Sequence, residues 1–305
     1  MNTPVILAIV EMFGMFALGM LARRLGYIRE EEIGRWSTFI MDILFPMLIL
    51  YSITHDLDRQ RLIELWPLPL LGFGTILLGL LAGYLLKIPL RNSRPDIIKT
   101  FHLLCCLSNY GFLPLIVIMN LWGSEKIALL FLFNLGNTIG YWTIGVGVLD
   151  SRGTAWRRCR NLFNPGFTAI MLALILSLSG LSDYLPEVFF KVCHSAGSAA
   201  VPCMLILIGA SLYGVKLRRE LATIAYLSVI RLLLLPVIFI AILKLLPLAE
   251  DVRGVAYILA LMPVAVSSTL LTQRYGGSTE FAARAAVVTT LCSGITIPMA
   301  LAWLI

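Results

Sequence analysis

Leu107-Ser108-Asn109-Tyr110-Gly111-Phe112-Leu113-Pro114 interrupts a long apolar run, residues 97–121, with an amide, a permissive glycine and a proline inside two turns. A proline within a helix removes one backbone hydrogen bond and clashes with the preceding turn, at a cost of about 3 kcal/mol. In hydrocarbon no water is at hand for the freed carbonyl, which must find a protein partner or face a wet cavity. A second stretch, Leu261-Met262-Pro263-Val264-Ala265-Val266-Ser267-Ser268, interrupts the run 252–273 in the same way. Matched interruptions of two apolar segments point to a binding site near a membrane midplane.

Outward from these two stretches the chain reads as ten apolar runs: 4–22, 34–54, 65–86, 97–121, 125–149, 162–181, 186–214, 221–247, 252–273 and 281–305. Of the 305 residues 59% are apolar and 13% charged, against roughly 45–50% and 25% in soluble domains. A hydrocarbon core needs about 20 apolar residues per helix, so ten spans fit this length. The balance excludes a soluble enzyme, a disordered chain and a large extramembrane domain. A barrel is excluded because its strands alternate polar with apolar, whereas these runs are continuous.

The net charge of +7 would suggest nucleic acid in a soluble protein; here it reports orientation, and no nucleic-acid partner is expected. Seventeen of the 24 Lys and Arg fall in alternate connections and six in the others, with Arg231 left inside a run. That bias makes the richer side, which includes Arg274 and Arg284, cytoplasmic. The expectation is a multi-pass protein of the inner (plasma) membrane, surrounded by lipid, with both termini on the outer, periplasmic side. The first run begins at Pro4, carries Glu11 and lacks a basic leader, so it reads as a retained span. The six cysteines have neither metal-site nor disulfide spacing and read as small buried side chains.

Ten spans divide into five and five, and a five-span unit crosses an odd number of times, so its copy is inverted. Pro46 in Phe45-Pro46-Met47-Leu48 corresponds to Pro202 in Val201-Pro202-Cys203-Met204, and Pro114 to Pro263. These four prolines are read as helix breaks or crossover points. The fold class is therefore all-α polytopic, with residues 1–150 as a first five-helix repeat, 151–161 as a short basic cytoplasmic connection and 162–305 as the second. Asn164-Pro165 opens the sixth run as Pro4 opens the first.

The polar residues at the breaks are the candidate binding residues. Asn109, Tyr110 and Gly111 would present an amide and free backbone groups. Ser267 and Ser268 offer hydroxyls. Asn134, Asn137 and Tyr141 share one helix face at spacing i, i+3, i+7, either lining a cavity or bonding between helices. Arg231 is the costliest residue to insert, about 2.5–3.5 kcal/mol at a span centre; it either balances an anionic ligand or pairs with Asp42. Glu11 and Asp42 are candidate proton carriers if buried, and His102 reads as hydrogen-bonded structure. The glycines Gly72, Gly74, Gly79 and Gly83 read as close helix packing. No catalytic constellation, metal set or cofactor motif is present: Cys193-His194-Ser195 and Ser293-Gly294 are sequence neighbours that point different ways on a helix.

Phe45-Pro46, Asn109-Tyr110-Gly111-Phe112-Leu113, Cys203 through Leu212, Met262-Pro263-Val264-Ala265 with Gln273-Arg274-Tyr275-Gly276, and Thr290-Leu291-Cys292-Ser293 on to Pro298 occur in this order. Together they resemble the auxin efflux carrier family, within the bile acid/auxin carrier-like group that includes the plant PIN-type proteins. The resemblance covers nearly the whole chain. It implies two inverted five-helix repeats, a dimerising scaffold of spans 1, 2, 6 and 7, and a transport domain of spans 3–5 and 8–10. Spans 4 and 9 would cross at their broken centres beside the substrate, and the transport domain would slide as an elevator. Asn109 matches the family's substrate-contacting asparagine and Pro263 its crossover proline. Relatives carry the span 4 proline about two residues later and often Asn in place of Ser267-Ser268. The short 151–161 connection resembles bacterial-type members, associated with malate- or malonate-like carboxylates and auxin-like acids. The resulting expectation is a secondary carrier of small organic anions; an intramembrane enzyme and a non-transporting receptor or sensor are the alternatives.

Overall fold

Prolines, caps and glycines divide the chain into helices that can be followed in a computed structural model, which describes residues 3–149, 160–215 and 219–304. The helices are α1 (Thr3–Arg24), α2 (Glu30–Asp56), α3 (Pro67–Leu86), α4 (Pro95–Cys106), α5 (Phe112–Trp122), α6 (Ile127–Thr143), α7 (Pro165–Ser179), α8 (Glu187–Leu212), α9 (Leu221–Leu245), α10 (Glu250–Ala260), α11 (Ser268–Tyr275) and α12 (Thr279–Leu304). A six-residue helix, Arg59–Glu64, precedes α3. Among the described residues seven helical segments are long and apolar enough to cross a membrane, and α5 and α7 are shorter apolar helices. The protein is thus an all-helical polytopic membrane protein. Most of the expected 151–161 connection, with Arg152, Arg157, Arg158 and Cys159, lies outside the described residues, as do Lys216 and Arg218.

Local chemistry sets the helix ends. The Asn164 side chain accepts from the Phe167 N–H at 3.0 Å, and Pro165 occupies the first helical position, where no N–H is needed. Gly180 ends α7 in the left-handed region, φ 74°, which costs glycine nothing. Three glutamates, Glu30, Glu31 and Glu32, open α2, placing negative charge at the positive end of the helix dipole.

Small residues set the packing. Gly72 of α3 lies against the Phe133 backbone of α6, and Gly136 of α6 against the Pro69 backbone of α3, so that any Cβ would overlap main chain. Gly79 does the same towards the Cys105 backbone of α4, Gly83 lies against the His102 ring, and Gly74 faces open space. On the other side of the molecule Gly19 of α1 meets Ile206 of α8, and Gly209 of α8 meets Phe16. One group forms as α1, α2, α7 and α8 pack together; α3–α6 and α9–α12 form another. The groups touch through α1 with α5 and α12, α8 with α5, and α2 and α7 with α6.

Two of the four expected breaks are not breaks. Pro46 leaves α2 unbroken: the turn before it widens to a π-turn, Ile40–Leu44, in which the Phe45 N–H reaches the Ile40 carbonyl. The wider turn makes room for a proline ring that would otherwise strike the preceding turn. Pro236 in α9 is accommodated identically, by a π-turn over Ile230–Leu234 that carries Arg231. Pro202 leaves only a one-residue irregularity at Ala199. Two further expectations are corrected. Cys203 is exposed, because it falls on the outward face of α8. Arg284, assigned to a connection, is buried inside α12, where Glu220 and Glu280 both pair with it.

Candidate functional site

The long interruptions lie where α4 gives way to α5 and α10 to α11. Residues 107–111 and 261–267 leave helical geometry and run antiparallel to one another. The Asn109 N–H donates to the Pro263 carbonyl at 2.8 Å and the Ala265 N–H to the Leu107 carbonyl at 3.3 Å, framing a single bridge between Ser108 and Val264. The Val264 N–H donates to Thr289 Oγ1 of α12 at 3.3 Å. Each broken helix thus satisfies part of the other's freed backbone, as a low-dielectric interior requires.

Pro263 lies in its break as expected, but Pro114 does not. The break ends at Gly111, and Pro114 is the third residue of α5, where an N–H has no intrahelical partner to lose. The break leaves the Tyr110 carbonyl without a helical donor, and Asn134 Nδ2 donates to it at 2.7 Å. Asn137 donates to Thr75 Oγ1 of α3 at 3.3 Å. Both asparagines bond between elements, while Tyr141 brings a buried hydroxyl without a hydrogen bond to the crossover's flank, beside Leu107 and Ala265.

Ending α4 at Cys106 has a parallel consequence. In a continuous helix the Cys105 carbonyl would accept from the Asn109 N–H, which is committed to Pro263. Arg231 supplies the missing donor: its guanidinium reaches the Cys105 carbonyl at 3.3 Å. Arg231 is 4% exposed and its Nε has no partner among the described residues. It does not pair with Asp42, which is exposed on the π-turn of α2. Glu11 is exposed as well, accepting from Asn120 Nδ2 of α5 at 3.0 Å. His102 bonds the Leu80 carbonyl at 2.9 Å, the structural role expected of it.

The crossover concentrates donors without acceptors. The N–H groups of Gly111, Phe112 and Leu113, at the start of α5, bond no described residue. The buried hydroxyls of Ser108, Ser268 and Thr290 are unpartnered. The Asn109 side chain, 8% exposed, makes no hydrogen bond to a described residue, and Ser267 is exposed. Free N–H groups at a helix start are a ready anion site. Tyr110 and Arg231 share a void of about 10 Å³ with Thr75, Leu235, Phe239 and Ala260, room for roughly one water. A larger cavity, about 620 Å³, opens at the far ends of α2 and α7, lined by Asp56, Asp58 and Asp183 together with His55 and Arg59.

Paired breaks, a buried guanidinium and free helix-start amides lie together where the two interrupted helices meet. Residues 4–158 and 154–301 match one known family, described as membrane transport protein. The chain belongs to that membrane transport protein family. It is the auxin efflux carrier-like family that the motifs resemble. Similar family members include uncharacterized transporters of Methanocaldococcus jannaschii, 22% identical over 98% of this chain and 97% of its own length, and of Methanothermobacter thermautotrophicus, 24% identical over 95% of each. A protein of Rhizobium meliloti named "Putative malonate transporter" is 24% identical over 95% of this chain and 92% of its own. Of the ionised groups missed by the sequence reading, Glu220 with Arg284 and Asp251 with Arg61 and Lys126 join residues far apart in the chain, and no local pattern announces them, whereas Glu280–Arg284 is an i, i+4 pair on α12. The π-turn around Arg231 did have a signal, Pro236 five residues on.

Proposed function

We propose that this transporter is a secondary carrier of small organic anions, with the substrate held at the crossover. The observation that carries the proposal is the unpaired set of donors there: a buried Arg231, the Asn109 amide, and free N–H groups at the start of α5. Helix-start amides and a guanidinium both favour negative charge. The printed name of the Rhizobium relative agrees with a carboxylate substrate, malonate- or malate-like; auxin-like acids present the same group.

The same reading assigns two inverted repeats, 1–150 and 162–305, crossing at 107–111 and 261–267. The two packing groups correspond to a scaffold (α1, α2, α7, α8) and a transport domain. The void at the crossover is too small for a dicarboxylate, so loading requires movement, and an elevator-like slide of one group along the other supplies it. Dimerisation through the scaffold, placement in the inner membrane and outward termini complete the reading, the last two supported by the bias of basic residues, 16 to 6 once the buried Arg284 is set aside. Uptake by proteoliposomes of labelled malonate, malate and indole-3-acetate tests it. Saturable flux of at least one acid, abolished in Asn109→Ala, is the expected result. Flux of neutral or cationic solutes alone would overturn it.

A further inference from the structure

Two charged side chains are buried among the described residues, Arg231 and Arg284, and they are treated oppositely. Arg284 has two carboxylates, Glu220 and Glu280. Among the described residues Arg231 has one backbone carbonyl, no ion pair, and a buried Nε with no acceptor. A buried charge without a counter-charge is strongly disfavoured, and a guanidinium is a fixed cation. The negative charge must come from elsewhere. Among the described residues no carboxylate takes that role: Asp42 is exposed on α2, Glu11 is bonded to Asn120, and Glu220 and Glu280 are committed to Arg284. The other free groups at the crossover, the hydroxyls of Ser108, Ser268 and Thr290 and the amides of Gly111, Phe112 and Leu113, add hydrogen bonds but no net charge. The helix ends contribute little to the sum, because two starts (α5, α11) and two finishes (α4, α10) converge there with opposite dipoles.

We infer that the crossover accepts a ligand carrying one negative charge, so that a dicarboxylate binds as its singly protonated form and Arg231 selects that form. This rests on the carrier reading above and sharpens it. A dianion would leave one buried charge unmatched. A hydrogen dicarboxylate matches Arg231 with its ionised end, and its acid proton and second carboxyl can use the free hydroxyls and amides.

The test uses the purified full-length protein and three probes: malonate, its half-amide malonamate, and indole-3-acetate. Binding is followed by ligand-induced shift of the unfolding temperature between pH 5 and 7.5. When only the singly charged form is competent, the apparent Kd rises about tenfold per pH unit above the second ionisation. The expected result is that rise for malonate beside a flat response for the two monoanions. The other titratable groups near Arg231, Cys105, Cys106, Tyr110 and Tyr141, ordinarily ionise above about pH 8, and any contribution of His102 would move all three probes together. In Arg231→Gln the monoanions lose at least about tenfold in affinity; should that variant not fold, the wild-type pH series decides alone. A malonate affinity that stays flat with pH means the dianion binds, and overturns the inference while leaving the carrier reading in place. Absence of binding by all three acids, with a neutral or cationic solute stabilising the protein, removes the carrier reading itself.

Discussion

Asn134 and Arg231 answer two different absences in the backbone. The chain leaves helical geometry at 107–111, so the Tyr110 carbonyl goes to Asn134; α4 stops early, so the Cys105 carbonyl goes to Arg231. Removing one partner strands a buried acceptor, which costs roughly 1–3 kcal/mol. Asn134→Ala should therefore lower the unfolding temperature in detergent. Asn109 divides in the opposite way. Its main chain holds the crossover through Pro263, whereas its side chain bonds no described residue, so Asn109→Ala should keep the unfolding temperature and lose substrate uptake. Uptake unchanged in that variant would remove its amide from the site.

At the level of helices, closeness is enforced by glycine. A Cβ at Gly136 would strike the Pro69 backbone, and backbone cannot swing aside. Gly136→Val should abolish the folded protein in gel filtration, whereas Gly74→Ala, facing open space, should be neutral or stabilising by up to about 1 kcal/mol. Charge ties the ends. Asp251, ahead of the apolar run 252–273, receives hydrogen bonds from Lys126 at 3.2 Å, the Val252 N–H and Arg61. Burial pushes its carboxyl up, but these donors together hold it below the usual carboxylate range. A lowered pKa stabilises the fold in full above the unfolded value, near 3.9, and that stability is lost as pH falls through the lowered value. The unfolding-temperature gap between wild type and Asp251→Asn should be constant from neutral pH to about pH 5 and close below about pH 4; a gap persisting in acid would assign the loss to packing. These elements also mark what the sequence could and could not tell. Continuous apolar runs gave the helices; Asn109, Gly111 and Pro114 marked the first interruption and Pro263 the second, because local composition decides them. Partners were illegible. Arg231 with Cys105 and Asp251 with Arg61 depend on which helices meet, and Asp42 was a plausible mate for Arg231 only in depth along the chain. Pro46 was misread because a π-turn and a break carry the same proline.

Across the whole molecule the decisive feature is the seam between the two packing groups. The helices α1 and α5 touch across it, and the Glu11–Asn120 hydrogen bond spans it. Neither side chain is buried behind other elements, so the bond can part without exposing a core. An elevator-like slide would carry α5 past α1 and break this contact in every cycle; a local gate at the crossover would leave it intact. The two readings separate in one experiment. In a background with the exposed Cys203 replaced by Ser, Glu11→Cys and Asn120→Cys are joined by a short thiol-specific crosslinker in proteoliposomes. If the groups slide, the joined protein should bind substrate but lose flux, and reductive release of the bridge should restore it. Each single-cysteine variant, treated identically, reports the effect of losing the Glu11–Asn120 bond alone, and should transport with altered rate rather than stop. Full flux in the crosslinked protein would fix α1 and α5 as one body, and loading of the small void beside Arg231 would then have to come from movement within α9, at the π-turn that already interrupts its hydrogen bonding.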